Sequence, residues 1–177
     1  MSTASNRPTD DFSHCHISII NNFEQLCALG RADISDPVQP EIQATAKKLL
    51  SFYHDVVVKH HHEEEQELFN IVLDCASPGK ELQKATQMIT RLTKEHRQLE
   101  KAWESLEGDI KKLSTGSFAL LDKAAAVALA EAYLLHARYE ESFFLPLTAD
   151  ILKNTELEPL GLSLHNRHNI NKAAGYI

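Results

Sequence analysis

The chain has 177 residues and a formal net charge of −7. That length fits one domain with a core of ordinary size, and the charge, with no basic face, speaks against binding nucleic acid or phosphate. Six glycines and six prolines are few beside plentiful Ala, Leu, Glu, Lys and Gln, a balance that favours helix. Three cysteines (Cys15, Cys27, Cys75) form no CxxC and their odd number suggests no disulfide framework. Met1 to Asp11 is polar without an apolar signal region, and no apolar run approaches a membrane span. The expected setting is soluble, reducing and cytoplasmic, with no membrane or nucleic-acid partner.

Residues 1–11 read as a loose arm whose end, Pro8-Thr9-Asp10-Asp11, suits a helix start. A first helix is predicted from about Phe12 to Leu29, with Phe12, Ile19, Ile20, Phe23, Leu26 and Cys27 on its apolar face. His16 lies on that face, and His14 falls about 160° away on the polar side. Gly30 is expected to end the helix before a loop of Ser35-Asp36-Pro37 and Pro40. A second helix follows over about 40–74. The break Cys75-Ala76-Ser77-Pro78-Gly79 offers Ser77 as an N-cap and Pro78 at the first helical position. So short a link makes helices two and three antiparallel neighbours. The third helix, about 79–113, places Ile89, Leu92, Leu99, Trp103 and Ile110 on one side with His96 among them. Ser114 to Ser117 closes it. The fourth runs from about Phe118 to Leu145, where Pro146 should end or kink it, with a short continuation to about Lys153. Residues 154–177, with Leu160, Leu162 and Leu164, read as a tail packing across the bundle. His165 and His168 within it are taken as surface residues.

The chemistry gathers in Lys59-His60-His61-His62-Glu63-Glu64-Glu65, where His60 precedes Glu64 by four residues, and in His136-Ala137-Arg138-Tyr139-Glu140, which repeats that spacing. Residues four apart on a helix share a face, about 40° apart around the axis. With His60 as origin, Leu49, Tyr53, Val56, Val57, Leu68 and Ile71 cluster around it and Glu64 falls within their arc. Around His136 the companions are Leu129, Ala132, Tyr133, Phe144 and Leu147, with Glu140 inside. A His-rich, Glu-rich run is ordinarily a solvated face, and His61, His62, Glu63 and Glu65 are read that way. A histidine and a glutamate inside an apolar stripe, twice over, are costly without a partner. Metal is the economical one, neutralising the carboxylates and using the imidazole lone pairs. The run lacks the second histidine of a zinc-protease helix, and the Glu-x-x-His order of ferritin-like bundles is absent.

The chain also repeats on a larger scale. His16-x-x-Ile19-x-x-x-Phe23-x-x-Leu26 matches His96-x-x-Leu99-x-x-x-Trp103-x-x-Leu106, and Glu64-Glu65-x-x-Leu68-Phe69 matches Glu140-Glu141-x-x-Phe144-Leu145. Two αα-hairpins of one design imply a pseudo-symmetric, all-α, four-helix bundle. Its six candidate ligands are His16, His60, Glu64, His96, His136 and Glu140. Imidazoles and carboxylates without thiolate suit iron or manganese, with zinc as a substitute. Two inward carboxylates can bridge a metal pair, and an oxo or hydroxo bridge would leave one open position on each ion.

This pattern of histidines and glutamates, with Glu-Glu-x-x-Leu-Phe after the second histidine, resembles the hemerythrin-like (HHE cation-binding) family over roughly residues 10–150. The resemblance implies an up-down-up-down bundle around two non-haem iron ions. It departs from the family's oxygen carriers, which have a further histidine where this chain has Glu100 and an Asp where it has Glu141. The expected function is binding or sensing of O2 or NO. The alternative is an enzyme reducing peroxide or NO or serving iron–sulfur cluster repair, or a protein that stores or senses iron. Glu67, beside Glu64 on the apolar arc, reads as an ion-paired residue, Tyr53 and Tyr133 as core packing near the site, and Cys27 as a buried thiol.

Overall fold

A computed structural model describes residues 8–153 and 155, with side chains described from His16 onward. Four helical rods make up the described residues, and no strand occurs among them. We label them α1 (Pro8–Arg31), α2 (residues 40–75), α3 (Lys80–Ser114) and α4 (residues 123–152). Helix α1 begins at Pro8, ahead of the expected Phe12. Pro8 takes the first turn of α1, where its missing N–H costs nothing. Phe12, His14 and Cys15 have side chains outside the described set. The expected C-terminal tail, with its leucines, His165 and His168, lies outside the described residues apart from Thr155.

Contacts run α1 with α2, α2 with α3, α3 with α4 and α4 back to α1, and the end of α2 (Phe69–Cys75) also meets the end of α4 (Leu145–Leu152). The α1–α4 approach is close at Gly30, where an added Cβ would sit 3.1 Å from the Lys123 carbonyl oxygen and 3.1 Å from the Ala126 Cβ. Gly30 therefore serves packing. The helix continues past it to Arg31.

The remaining boundaries shift for local reasons. Gly79, at φ 107°, occupies the cap of α3 in place of Ser77. A side chain there would be strained, and the Ser77 backbone N–H instead donates to Glu81 Oε2 at 2.6 Å. Helix α4 starts at Lys123, not Phe118, because Asp122 Oδ1 accepts from the Ala125 backbone N–H at 2.9 Å. Pro146 does not break α4. It falls in the first turn of the segment Leu145–Leu152, where its ring is tolerated.

The interruptions that matter are π turns. Helix α2 loosens at Tyr53–Val57 and again at Glu64–Leu68, and α4 loosens at Glu140–Phe144. In each the N–H of the following residue reaches back five positions: Val58 to the Tyr53 carbonyl, Phe69 to Glu64, Leu145 to Glu140. A π turn carries one extra residue, so everything beyond it moves one position in helical phase. Val72 takes the buried place expected for Ile71, and Thr148 the place expected for Leu147. Around His136 the buried arc is centred toward Ala137, which leaves Ala132 exposed.

Buried apolar residues form two clusters. One contains Ile19, Phe23, Leu26, Leu49, Val56, Val57, Leu99, Trp103, Leu129 and Tyr133, and the other Leu68, Phe69, Val72, Leu92, Phe144 and Leu145. Along α2, α3 and α4 the change from one cluster to the other falls at His60–Glu64, at His96 and at His136–Glu140. A thin polar layer thus crosses an otherwise apolar interior. Tyr53 stacks on Trp103 at 4.1 Å and Phe23 on Tyr133 at 3.9 Å on one side of it, and Phe69 meets Phe144 edge-on at 5.3 Å on the other.

Candidate metal centre

All six predicted ligands are in that layer, and all are buried: His16, His60, Glu64, His96, His136 and Glu140. Helix α1 contributes His16, α2 the pair His60 and Glu64, α3 His96, and α4 the pair His136 and Glu140. Each glutamate is the first residue of a π turn, so the repeat seen in the sequence is also a repeat in backbone geometry.

The two carboxylates stand between histidines from different helices. Glu64 Oε1 lies 3.5 Å from His60 Nε2, and its Oε2 lies 3.4 Å from His96 Nε2. Glu140 Oε2 lies 3.1 Å from His16 Nε2, and its Oε1 lies 3.4 Å from His136 Nε2 and 3.9 Å from His96 Nε2. Yet both oxygens of Glu64, both of Glu140, and Nε2 of His96 and His136 are buried without a hydrogen-bond partner. Buried polar groups are nearly always satisfied, so six unsatisfied atoms converging on one volume ask for an occupant. Cations bound by imidazole nitrogens and carboxylate oxygens answer all six. The donor atoms sort into His16, His60, Glu64 and Glu140 on one side and His61, His96 and His136 on the other, with the atoms of each set within 4.8 Å of one another.

His61 is where the sequence reading fails. Expected on the solvated face, it is only 1% exposed. The π turn at Tyr53–Val57 advances the phase by one residue, so both His60 and His61 face inward. Its ring stacks on His96 at 3.9 Å with the planes 8° apart. Nδ1 lies 3.0 Å from Glu100 Oε1, and Nε2 meets the Tyr133 hydroxyl. Tyr133 is thus a hydrogen-bonding partner as well as a core residue. Tyr53 packs against Trp103 as expected. Glu67 is half-buried and belongs to neither donor set, and Cys27 is only half-buried.

Around the layer stands a ring of acids that pattern reading missed. Glu65, expected in solvent, accepts from His96 Nδ1 at 2.8 Å and pairs with Arg97. Glu95 accepts from His136 Nδ1 at 2.9 Å and is itself held by Arg91 Nε at 2.6 Å. Glu141 Oε1 lies 3.4 Å from His16 Nδ1. A carboxylate on the outer nitrogen fixes the tautomer, turns Nε2 inward and raises the basicity of the ring, which is how metal-binding histidines are held. The sequence gives one hint of this ring, since Glu65, Glu95 and Glu141 each adjoin a predicted ligand.

Without a cation the electrostatics are awkward. Burial pulls the His16 imidazolium down, but Glu140 and Glu141 outweigh it and hold the group up at about 10. Burial likewise opposes charge on His96, which Glu140 and Glu64 raise to about 10. Burial and the neighbouring Glu140 push the Glu64 carboxyl up. Burial also works against charge on Glu140, yet His136, His16 and His96 keep its carboxyl well below the usual range. Burial drives His61 down to about 3, against Glu100 and with the help of His96 and His136. Protons on His16 and His96 thus stand in for positive charge that a bound cation would supply.

An all-helical domain with a buried histidine–carboxylate layer belongs to the cation-binding class of helical proteins. The chain matches the hemerythrin HHE cation binding domain over residues 7–148, and it belongs to that family. No curated protein and no solved structure matches it. No helix of the described residues is long and apolar enough to cross a membrane.

Proposed function

We propose that this chain is a di-iron protein of the hemerythrin-like family that binds or senses a small diatomic ligand, O2 or NO. The observation that carries the reading is the placement of Glu64 and Glu140, each buried, with one oxygen toward a histidine on either side. A carboxylate so placed can span two ions. His16 and His60 would hold one, and His96 and His136 the other. The donor set favours iron, with manganese and zinc as competitors, because it offers imidazole and carboxylate but no thiolate. The ring of neighbour contacts and the short link at residues 76–79 support the up-down-up-down arrangement.

Iron held there would supply a redox-active centre with room for one small exogenous ligand. The rest is done by the protein. The two apolar clusters exclude bulk water from the layer, and Glu65 and Glu95 keep the Nδ1 protons of His96 and His136 outside it. A cavity of about 480 Å³ between α3 and α4 has a mostly apolar lining that includes Leu99, Ala102 and Leu129, with His136 and Glu95 also on its wall. A small apolar molecule could approach His136 from this side, and a larger substrate would find few polar contacts there.

The test is mixing anaerobically reduced, iron-loaded protein with NO and with O2 under stopped-flow absorbance. A stoichiometric, saturable NO adduct supports binding or sensing. Repeated turnover of NO or peroxide with a reductant replaces that reading with an enzyme, and no reaction with any small ligand leaves iron storage or iron sensing.

A further inference from the structure

Helix α4 turns one face away from the bundle, and that face is unusually poor in charge for a solvated helix. Ala124, Ala128, Ala132 and Leu135 are all exposed on it, Leu135 to 65%. At about 100° per residue, Ala124 and Ala128 lie within about 20° of Leu135 around the axis, and Ala132 within about 60°. Glu131 and Arg138 share the face, about 40° and 60° from Leu135. Both are exposed, and neither side chain has an ion-pair or hydrogen-bond partner among the described residues. A groove runs along each side of this ridge, the cavity of about 480 Å³ against α3 and one of about 400 Å³ against α1.

Small side chains let another helix come close, and the two charges say which helix fits. Glu131 precedes Leu135 by four residues and Arg138 follows it by three, so their midpoint falls between Leu134 and Leu135. When two copies of α4 lie antiparallel about a two-fold axis at that midpoint, Glu131 of each copy stands level with Arg138 of the other. Both ion pairs then form at once, as symmetry requires, and the two Leu135 side chains meet at the axis. A parallel pair would set Glu131 against Glu131 and Arg138 against Arg138, which like charge opposes. We infer that the outward face of α4 is the docking surface for a second copy of this chain, packed antiparallel with Leu135 on Leu135 and Glu131 on Arg138. Residues 156–177 of the same chain are the competing occupant. They would have to run back about 25 Å along α4 from Leu152 to Leu135, and from Pro159 onward they hold Arg167 and Lys172 but no acid to meet Arg138. A second copy matches both charges.

The experiment is sedimentation equilibrium of the full chain over a concentration series, for wild type, Leu135→Glu, Glu131→Arg, Arg138→Glu and the double exchange. Circular dichroism checks that each variant keeps its helix, as exposed positions should allow. The wild type is a dimer that dissociates on dilution, and Leu135→Glu is a monomer throughout. Each single exchange places like charges together twice and raises the dimer Kd by about tenfold. The double exchange restores the wild-type Kd. An equimolar mixture of the two single variants, in which both contacts are again of opposite sign, dimerises more tightly than either variant alone. A wild type that stays monomeric at every concentration would overturn the assignment, as would a dimer that survives Leu135→Glu. Single exchanges without effect, or a mixture no tighter than its components, would overturn it equally.

Discussion

His96 Nδ1 lies 2.8 Å from Glu65 Oε1, so the histidine of α3 is oriented by a carboxylate of α2 that sits beside the candidate bridging residue Glu64. Neighbouring residues of one helix thereby address the two ends of a single imidazole. Glu64 is also the first residue of the π turn Glu64–Leu68.

Glu65→Ala is therefore expected to weaken metal binding by about 10–100-fold without unfolding the chain, because it removes an orienting contact and no ligand. Competitive titration with a chelator measures it. An unchanged affinity would mean that the His96 ring is held by packing against His61 and Phe69 alone.

The metal-free protein should respond to pH in a direction set by His16 and His96. Both are held up at about 10 in the folded chain, against about 6.5 when unfolded. The folded state thus binds more protons between those values. The stabilisation is complete below about pH 6.5 and is lost as pH rises through about 10. Ions must displace these protons to bind, so the rise in Tm produced by manganese(II) should grow between pH 6 and pH 8.5. Paired melts with and without the metal check both slopes. A metal-induced rise that shrinks with pH would contradict the assignment.

Gly30→Ala tests the close contact of α1 with α4. The new methyl would meet the Lys123 carbonyl oxygen and the Ala126 Cβ, each at 3.1 Å. Backbone cannot move aside as a flexible side chain does, and overpacking of this kind costs about 1–3 kcal/mol. Thermal melting should show a lower Tm with unchanged metal content. A stability equal to wild type would mean that the two helices separate freely at this end.

Much of the layer was readable from the sequence because His60/Glu64 and His136/Glu140 each lie within one turn, so errors of helical phase hardly affect them. His16 and His96 stood out for a similar reason, each having apolar neighbours at helical spacing on an α-helix without π turns. His61 was not readable. Its burial depends on the residue inserted at Tyr53–Val57, and regular periodicity carries no mark of a π turn. The exchange of Ile71 for Val72 and of Leu147 for Thr148 has the same cause. The acids Glu65, Glu95 and Glu100 escaped because a helical wheel places such residues toward solvent, whereas their partners are on neighbouring helices.

Glu64 and Glu140 are proposed to hold two iron ions between them. Iron analysis combined with Mössbauer spectroscopy of the purified, iron-57-loaded protein tests it most directly, in wild type and in the Glu64→Ala and Glu140→Ala variants. The wild type should contain two ions per chain as a magnetically coupled ferric pair, and each variant should lose that coupled signal along with most of its iron. One isolated ferric ion per chain in the wild type, or full occupancy with coupling intact in both variants, would contradict the account.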